Sequence, residues 1–289
     1  MTKQEFQKLT EQKPIILDGA TGSNLMKAGM PKGVCTETWI LEHPDVFIQL
    51  QKSYVEAGSQ ILYAPTFAAN RISLAGHGLE KEVVRLNHAL VALSKKAAAA
   101  DTLIAGDLTT TGKTDIDYSE LLDAYEEQML ALKDAGVDMF IAETMVGTDE
   151  TMAAIDAAHA ISDMPILCSM TVQADGSLFF GGSIFEAAPM LEEMGADAIG
   201  INCSTGPDQL ENIIENLNRL ITVPIIAKPN AGMPVINEKG IAVYDMEPEH
   251  FGRCMKRLVD LGASMVGGCC GTDPEFIREL VKQVKKEHK

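Results

Sequence analysis

A chain of 289 residues, 46 % hydrophobic and 22 % charged, carries enough apolar content to bury a large core, which excludes an intrinsically disordered chain. Its 24 basic and 41 acidic side chains give a formal charge of −17, with no basic run apart from Lys285, Lys286 and Lys289. That excludes a nucleic-acid surface and leaves the acidic surplus to keep the protein in solution.

Short apolar runs alternate with long amphipathic stretches along the whole chain. The first strand-like run is 14–19, and a helical stretch is predicted from Val46 to Ala57. The second run, 60–64, leads to a helix over Val83 to Ala100. The third, 102–107, leads to one over Ser119 to Asp134. The fourth, 139–143, precedes a helix over Asp149 to Ile161, and the fifth, 165–170, one over Phe185 to Met194. The sixth, 198–203, is followed by a helix from Pro207 to Leu220, and the seventh, 224–228, by one from Pro248 to Leu261. The eighth is 264–269, after which Pro274 opens the last helix.

Eight strand–helix pairs predict a (β/α)₈ TIM barrel formed as a single domain over 1–289. The strands read as unbroken apolar runs, as parallel strands buried on both faces should. Gly58, Gly136, Gly195 and Gly262 stand where a helix must stop before the next strand, and each can take the left-handed conformation that ends it. A doubly wound open sheet is the alternative. Its Gly-x-Gly-x-x-Gly fingerprint is missing after the first strand, which continues Asp18-Gly19-Ala20-Thr21-Gly22.

Met1 to Lys13 is polar and of mixed charge, without the apolar core of a signal peptide. No apolar run nears the roughly 20 residues that span a bilayer. The expectation is a cytoplasmic protein with no membrane partner, whose six cysteines are thiols or metal ligands.

In such a barrel the working residues sit at the C-terminal ends of the strands. Here these are Asp18, Thr66, Asp107, Glu143, Thr171, Cys203, Asn230 and the pair Cys269-Cys270. Three of the six cysteines thus fall at the ends of strands six and eight. Three thiolates bind zinc and leave one coordination position open. Flanking glycines, Gly267-Gly268 and Gly271, would let two adjacent side chains turn toward one ion, which a regular strand forbids. Spacing alone leaves the other reading open, that these are buried small hydrophobes. Cys168 in a strand and Cys254 in a helix are read as packing residues, and nothing supports a reactive role for Cys35. The six histidines show no metal-ligand spacing.

Gly200-Ile201-Asn202-Cys203-Ser204-Thr205-Gly206-Pro207, with Gly267-Gly268-Cys269-Cys270-Gly271-Thr272, resembles the homocysteine S-methyltransferase family. Leu17-Asp18-Gly19-Ala20-Thr21-Gly22, Thr66-Phe67, Glu143-Thr144 and Pro229-Asn230-Ala231-Gly232 extend the likeness over nearly the whole chain. Within that family it is more similar to the barrels of cobalamin-dependent methionine synthases than to betaine–homocysteine methyltransferases. The resemblance implies a barrel that binds one zinc ion per chain through Cys203, Cys269 and Cys270 and methylates homocysteine to methionine. Three thiolates on Zn²⁺ leave a net charge of −1, a centre suited to a soft sulfur ligand. A thiol entering the fourth position is held as thiolate, the reactive nucleophile.

An amino-acid thiol also needs partners for its charged ends. Glu143 is assigned the ammonium, as the resemblance also implies, and the turn at Asp18 and Gly19 the carboxylate, through backbone N–H groups. Thr66 is a candidate hydroxyl contact, and Asn230 a displaceable fourth ligand or a substrate contact. Each has a structural alternative: a core ion pair, a plain turn, a packing threonine, a loop asparagine. The expected methyl donor is a methyl-corrinoid on a separate protein, with no corrinoid on this chain. S-methylmethionine or betaine as donor, a different thiol as acceptor, and a non-enzymatic module with a structural zinc are the alternatives. Two positions depart from the family's usual pattern, Pro65 before Thr66 and Lys228 before Pro229-Asn230.

Overall fold

The computed structural model describes residues 1–12, 14–113, 115–236 and 242–285; Lys13, Lys286 and Lys289 lie outside them. Eight parallel strands form the barrel: β1 (Ile15–Ile16), β2 (Ile61–Tyr63), β3 (Leu103–Leu108), β4 (Met139–Met145), β5 (Ile166–Met170), β6 (Ala198–Cys203), β7 (Ile225–Pro229) and β8 (Ala263–Val266). Each pairs with its sequence neighbour from β2 through β8, and β8 pairs with β1. The ring closes where Leu17 bridges Ile61 and the Gln60 N–H donates to the Ile16 carbonyl at 2.7 Å.

Strand alternation sorts the apolar runs into two cores. Ile15, Leu17, Ile61, Ala105, Ile141 and Met265 are among the side chains that fill the barrel, and Phe6 from an N-terminal helix plugs its floor. The intervening residues, such as Leu62, Ile104, Phe140, Cys168, Ile199 and Ile225, face the surrounding helices. Both faces are therefore dry, which explains the unbroken apolar runs. Gly200 allows β6 and β7 to close up, since a Cβ there would overlap the backbone of Ile226. The four junction glycines have φ between +78° and +123°, so the expected helix terminators are in place.

Several predicted boundaries move. The helix after β2 is Val83–Ala97, because Ala98 is already extended at φ −63°, ψ 142°. The stretch after β6 splits into a 3₁₀ turn, Pro207–Gln209, and a helix, Glu211–Leu220, hinged at Leu210. The eighth strand ends at Val266, three residues before Cys269. Six elements were not expected. The helix Lys3–Thr10 is started by a capping box between Thr2 and Glu5. Gly22–Lys27, Thr36–Glu42 and Arg71–Ala75 are short helices after β1 and β2, and Val235–Ile236 pairs with Ala242–Val243 as a hairpin after β7. No helix of the described residues is long and apolar enough to cross a membrane.

Candidate metal and substrate site

The alternation that buries Ala105, Ile141, Leu167, Ala198 and Ile226 inside the barrel carries on toward the C-terminal ends of the strands. It brings Asp107, Glu143, Ser169, Asn202 and Lys228 inward, above the apolar layers. A cavity of about 470 Å³ opens over this polar layer, with Cys203, Cys269 and Cys270 in its wall.

The three cysteine sulfurs all lie within 4.8 Å of one another. Two backbone devices bring them there. Cys203 ends β6 with φ +59° and Ser204 follows at +62°, a conformation costly for residues with a Cβ. Thr144, at the end of β4, is the third such residue among those described. Asn202 ties these ends together. Its Oδ1 accepts from the Thr144 N–H (2.7 Å) and the Ser169 hydroxyl (2.9 Å), while its Nδ2 donates to Thr144 Oγ1 (2.7 Å) and Glu143 Oε2 (3.3 Å). On the other side the chain leaves β8 through Gly267 and Gly268. A Cβ on Gly267 would sit 2.6 Å from the Asp18 carbonyl, and one on Gly268 would overlap Thr272. The freed turn is then pinned: Cys269 N–H donates to Pro229 O (2.7 Å), Ala231 N–H to Cys270 O (2.9 Å) and the Thr272 hydroxyl to Cys269 O (2.8 Å). Adjacent cysteines can therefore face one point.

Hydrogen bonds from Cys203, then Cys269, hold the Cys270 thiol down to about 3 against the effect of burial, with help from the Tyr244 hydroxyl. The same contacts push Cys203 up. Cys269 is drawn down by Cys203 but, through Cys270 and burial, ends up at about 11. Alone, the cluster thus favours one shared thiolate. Only a bound cation would let all three sulfurs ionise together. Three soft donors at this spacing fit a thiophilic ion that retains an open position.

Beside the sulfurs lies a buried charge layer. Lys228, its side chain 4 % exposed, places Nζ 3.2 Å from Asp18 Oδ1, 3.9 Å from Glu143 Oε2 and 4.5 Å over the Tyr63 ring. Asp18 Oδ2 accepts from the Tyr63 N–H at 2.8 Å. Burial alone would lower the Lys228 pKa, but Asp18 and then Glu143 raise it, so the ammonium stays charged. Burial pushes the carboxyls the other way. Glu143 rises to about 8, and Asp18 and Asp107 also move up, with Lys228 only partly offsetting this. Three carboxyls thus share one resident cation.

A profile of the homocysteine S-methyltransferase family matches residues 15–284. The chain belongs to that family. It is 29 % identical over 301 residues to the methionine synthase of Mycobacterium leprae and 30 % over 299 residues to that of Mycobacterium tuberculosis. The alignments cover 95 % and 94 % of this chain, which spans about a quarter of those relatives' length (24 % and 25 %). Crystal structures of the homocysteine methyltransferase MmuM from Escherichia coli share its fold. The metallated form superposes with a TM-score of 0.81 at 22 % identity, covering 96 % of this chain and 98 % of that one. The oxidized form gives the same score, covering 95 % and 97 %. This member of the family carries a three-cysteine cluster able to hold a metal.

The structure brings Cys203, Cys269 and Cys270 together and sets Asp18, Gly19 and Glu143 on the cavity wall beside them. Gly19 is required there, because the Tyr54 ring lies 2.6 Å from where a Cβ would stand. Thr66 is not among the residues that line the cavity. Its hydroxyl donates to the Asp107 carbonyl (2.8 Å) and accepts from the Asp107 N–H (3.1 Å), pinning β2 to β3. Asn230 is buried with Nδ2 on the Ser204 carbonyl (3.3 Å) and Oδ1 without a hydrogen-bond partner. The turn's Ala20 N–H is taken by Thr272 Oγ1 (3.1 Å), so it is not open to a ligand. Cys35 is on the wall but buried, donating to the Glu37 carboxylate at 3.3 Å, and burial raises its pKa. Tyr63 and Tyr244 went unremarked in the sequence, Asn202 appeared only within the motif that ends β6, Asp107 only as a strand end, and Lys228 only as a departure. Counting by twos from Ala105, Ala198 and Ile226 finds Asp107, Asn202 and Lys228.

Proposed function

We propose that this protein is a zinc-dependent homocysteine S-methyltransferase that forms methionine. The observation that carries the reading is the cluster of three sulfurs within 4.8 Å of one another, opening on a cavity with a buried carboxylate layer. A metallated form of the MmuM homologue and the methionine synthase relatives support it.

Cys203, Cys269 and Cys270 are the proposed zinc ligands, one ion per chain, and Asn230, with its spare side-chain oxygen, the proposed fourth protein ligand. Zinc, when bound, lowers the pKa of an incoming thiol so that it is held as the nucleophilic thiolate at neutral pH. Glu143 accepts the substrate's ammonium, in a layer where Lys228 already balances Asp18. The turn at Asp18 and Gly19 offers backbone N–H groups to the substrate carboxylate. These contacts fix the sulfur's position, so that little motion remains before it meets the methyl carbon. The sulfur attacks that carbon, the carbon–donor bond breaks, and the electron pair leaves with the donor. In this reading the donor is a methyl-corrinoid on a separate protein, and the protein works in the reducing cytoplasm, a reading its free thiols support.

The test mixes zinc-loaded protein with homocysteine and a panel of donors: methylcobalamin, a methyl-corrinoid protein, S-methylmethionine and betaine. Methionine from the corrinoid donors supports the reading. Methionine from S-methylmethionine or betaine alone replaces the donor. No methionine with any, while another thiol is methylated, replaces the acceptor.

A further inference from the structure

We infer that Asp107 is a second reader of the substrate's ammonium, acting beside Glu143 in a layer whose charge is preset by Lys228. The inference rests on the proposed function and deepens it, since it names which groups select an amino-thiol over a simple thiol.

The argument starts from unequal pairing. Lys228 Nζ is 3.2 Å from Asp18 and 3.9 Å from Glu143, and Asp18 gains a further bond from the Tyr63 N–H. Glu143 has the Asn202 amide at 3.3 Å. Asp107 has neither. It is 5 % exposed, its Oδ1 is buried with no hydrogen-bond partner, and no ion pair reaches it from the described residues. A buried carboxylate without a partner costs free energy that an amide or an apolar side chain would not. The position is also rigid. Thr66 Oγ1 bonds both the N–H and the carbonyl of Asp107, and Gln128 Nε2 donates to Thr66 O at 2.7 Å. The carboxylate is therefore held inward, on the wall of the same cavity as the three cysteines.

A buried carboxyl without a partner on a fixed strand end is a site prepared for a cation that arrives from outside, because that charge favours the carboxyl's ionised form. Lys228 cannot serve, because it is engaged on the Asp18 side. The substrate's ammonium supplies the missing positive charge, between Asp107 and Glu143. Lys228 works in the same direction, partly offsetting the burial that pushes the three clustered carboxyls up. A thiol that bears only a carboxylate brings no cation to Asp107 and gains nothing from it.

The test is calorimetric titration of the zinc-loaded wild type and Asp107→Asn with homocysteine and with 4-mercaptobutyrate, which keeps the chain, thiol and carboxylate but lacks the amino group. The expected result is homocysteine binding weakened about tenfold to a hundredfold. Binding of 4-mercaptobutyrate should hold or improve. The melting temperature of the metal-free variant should equal or exceed that of wild type, because the lost group had no partner. Equal weakening of both thiols, unchanged homocysteine binding, or a variant that fails to fold would each overturn the assignment, since each makes Asp107 structural or idle. A wild type that binds neither thiol contradicts the proposed function as well, and is told apart by that control.

Discussion

The floor and the mouth of the barrel are made by the same eight strands, yet their inward side chains behave in opposite ways. At the floor, Phe6, Ile15, Ile61, Met139, Ala198 and Met265 are buried and wholly apolar. At the mouth, Asp18, Asp107, Glu143 and Lys228 are buried too, but they are ionisable, and Asp107 Oδ1 has no hydrogen-bond partner. Strain follows the same division, with Thr144, Cys203 and Ser204 all at the mouth. The difference teaches how the fold tolerates such a site. Apolar layers below and helices outside supply the stability, and the strand ends hold groups whose desolvation or distortion is unfavourable until a metal and a substrate arrive.

Four changes test that division. Cys269→Ser should have the largest effect, stripping most of the zinc from a protein that otherwise carries about one ion per chain, with thermal stability before metal loading nearly unchanged. Metal analysis after gel filtration reads this, and full retention of zinc would remove Cys269 from the ligand set. Phe6→Ala should do the reverse, lowering stability by about 3–5 kcal/mol in denaturant titrations. Zinc stoichiometry in the folded fraction should not move, and if it did, the two ends would be coupled and the division false.

Glu143→Gln should weaken homocysteine by about one to two orders of magnitude at unchanged zinc content, because the amide keeps the shape but loses the charge. Calorimetry should show little loss for a thiol without an amino group. The smallest effect is in pH. Burial raises the Glu143 carboxyl to about 8 from an ordinary 4.5, so the folded state keeps a proton that the unfolded state has released between those values. Stability of the metal-free protein should therefore fall as pH rises from 5 to 8, read as a falling melting temperature. Glu143→Gln should flatten that slope, and an equally steep slope in the variant would point to Asp18 or Asp107 instead.

The barrel was legible because a parallel strand buried on both faces writes an unbroken apolar run, and because four helix ends needed a glycine. The metal cluster was legible in part, from cysteines at the ends of strands six and eight. What it took to aim them was not, since the left-handed turn at Cys203 and Ser204 has no glycine to mark it. Lys228 and Asp107 were visible as residues, but their inward direction depends on register and their pairing on distances across the barrel. Thr66 shows the same dependence: it stands at a strand end, and its hydroxyl bonds the Asp107 backbone on β3. The capping box at Thr2 and Glu5 was readable and passed over in a short polar segment.

The central claim is that the three cysteines hold a zinc ion with one position for the substrate's sulfur. Zinc X-ray absorption on the loaded protein tests it most directly. The account predicts three sulfur neighbours at about 2.3 Å without substrate and four with saturating homocysteine. A shell unchanged by homocysteine would contradict it and make the zinc structural.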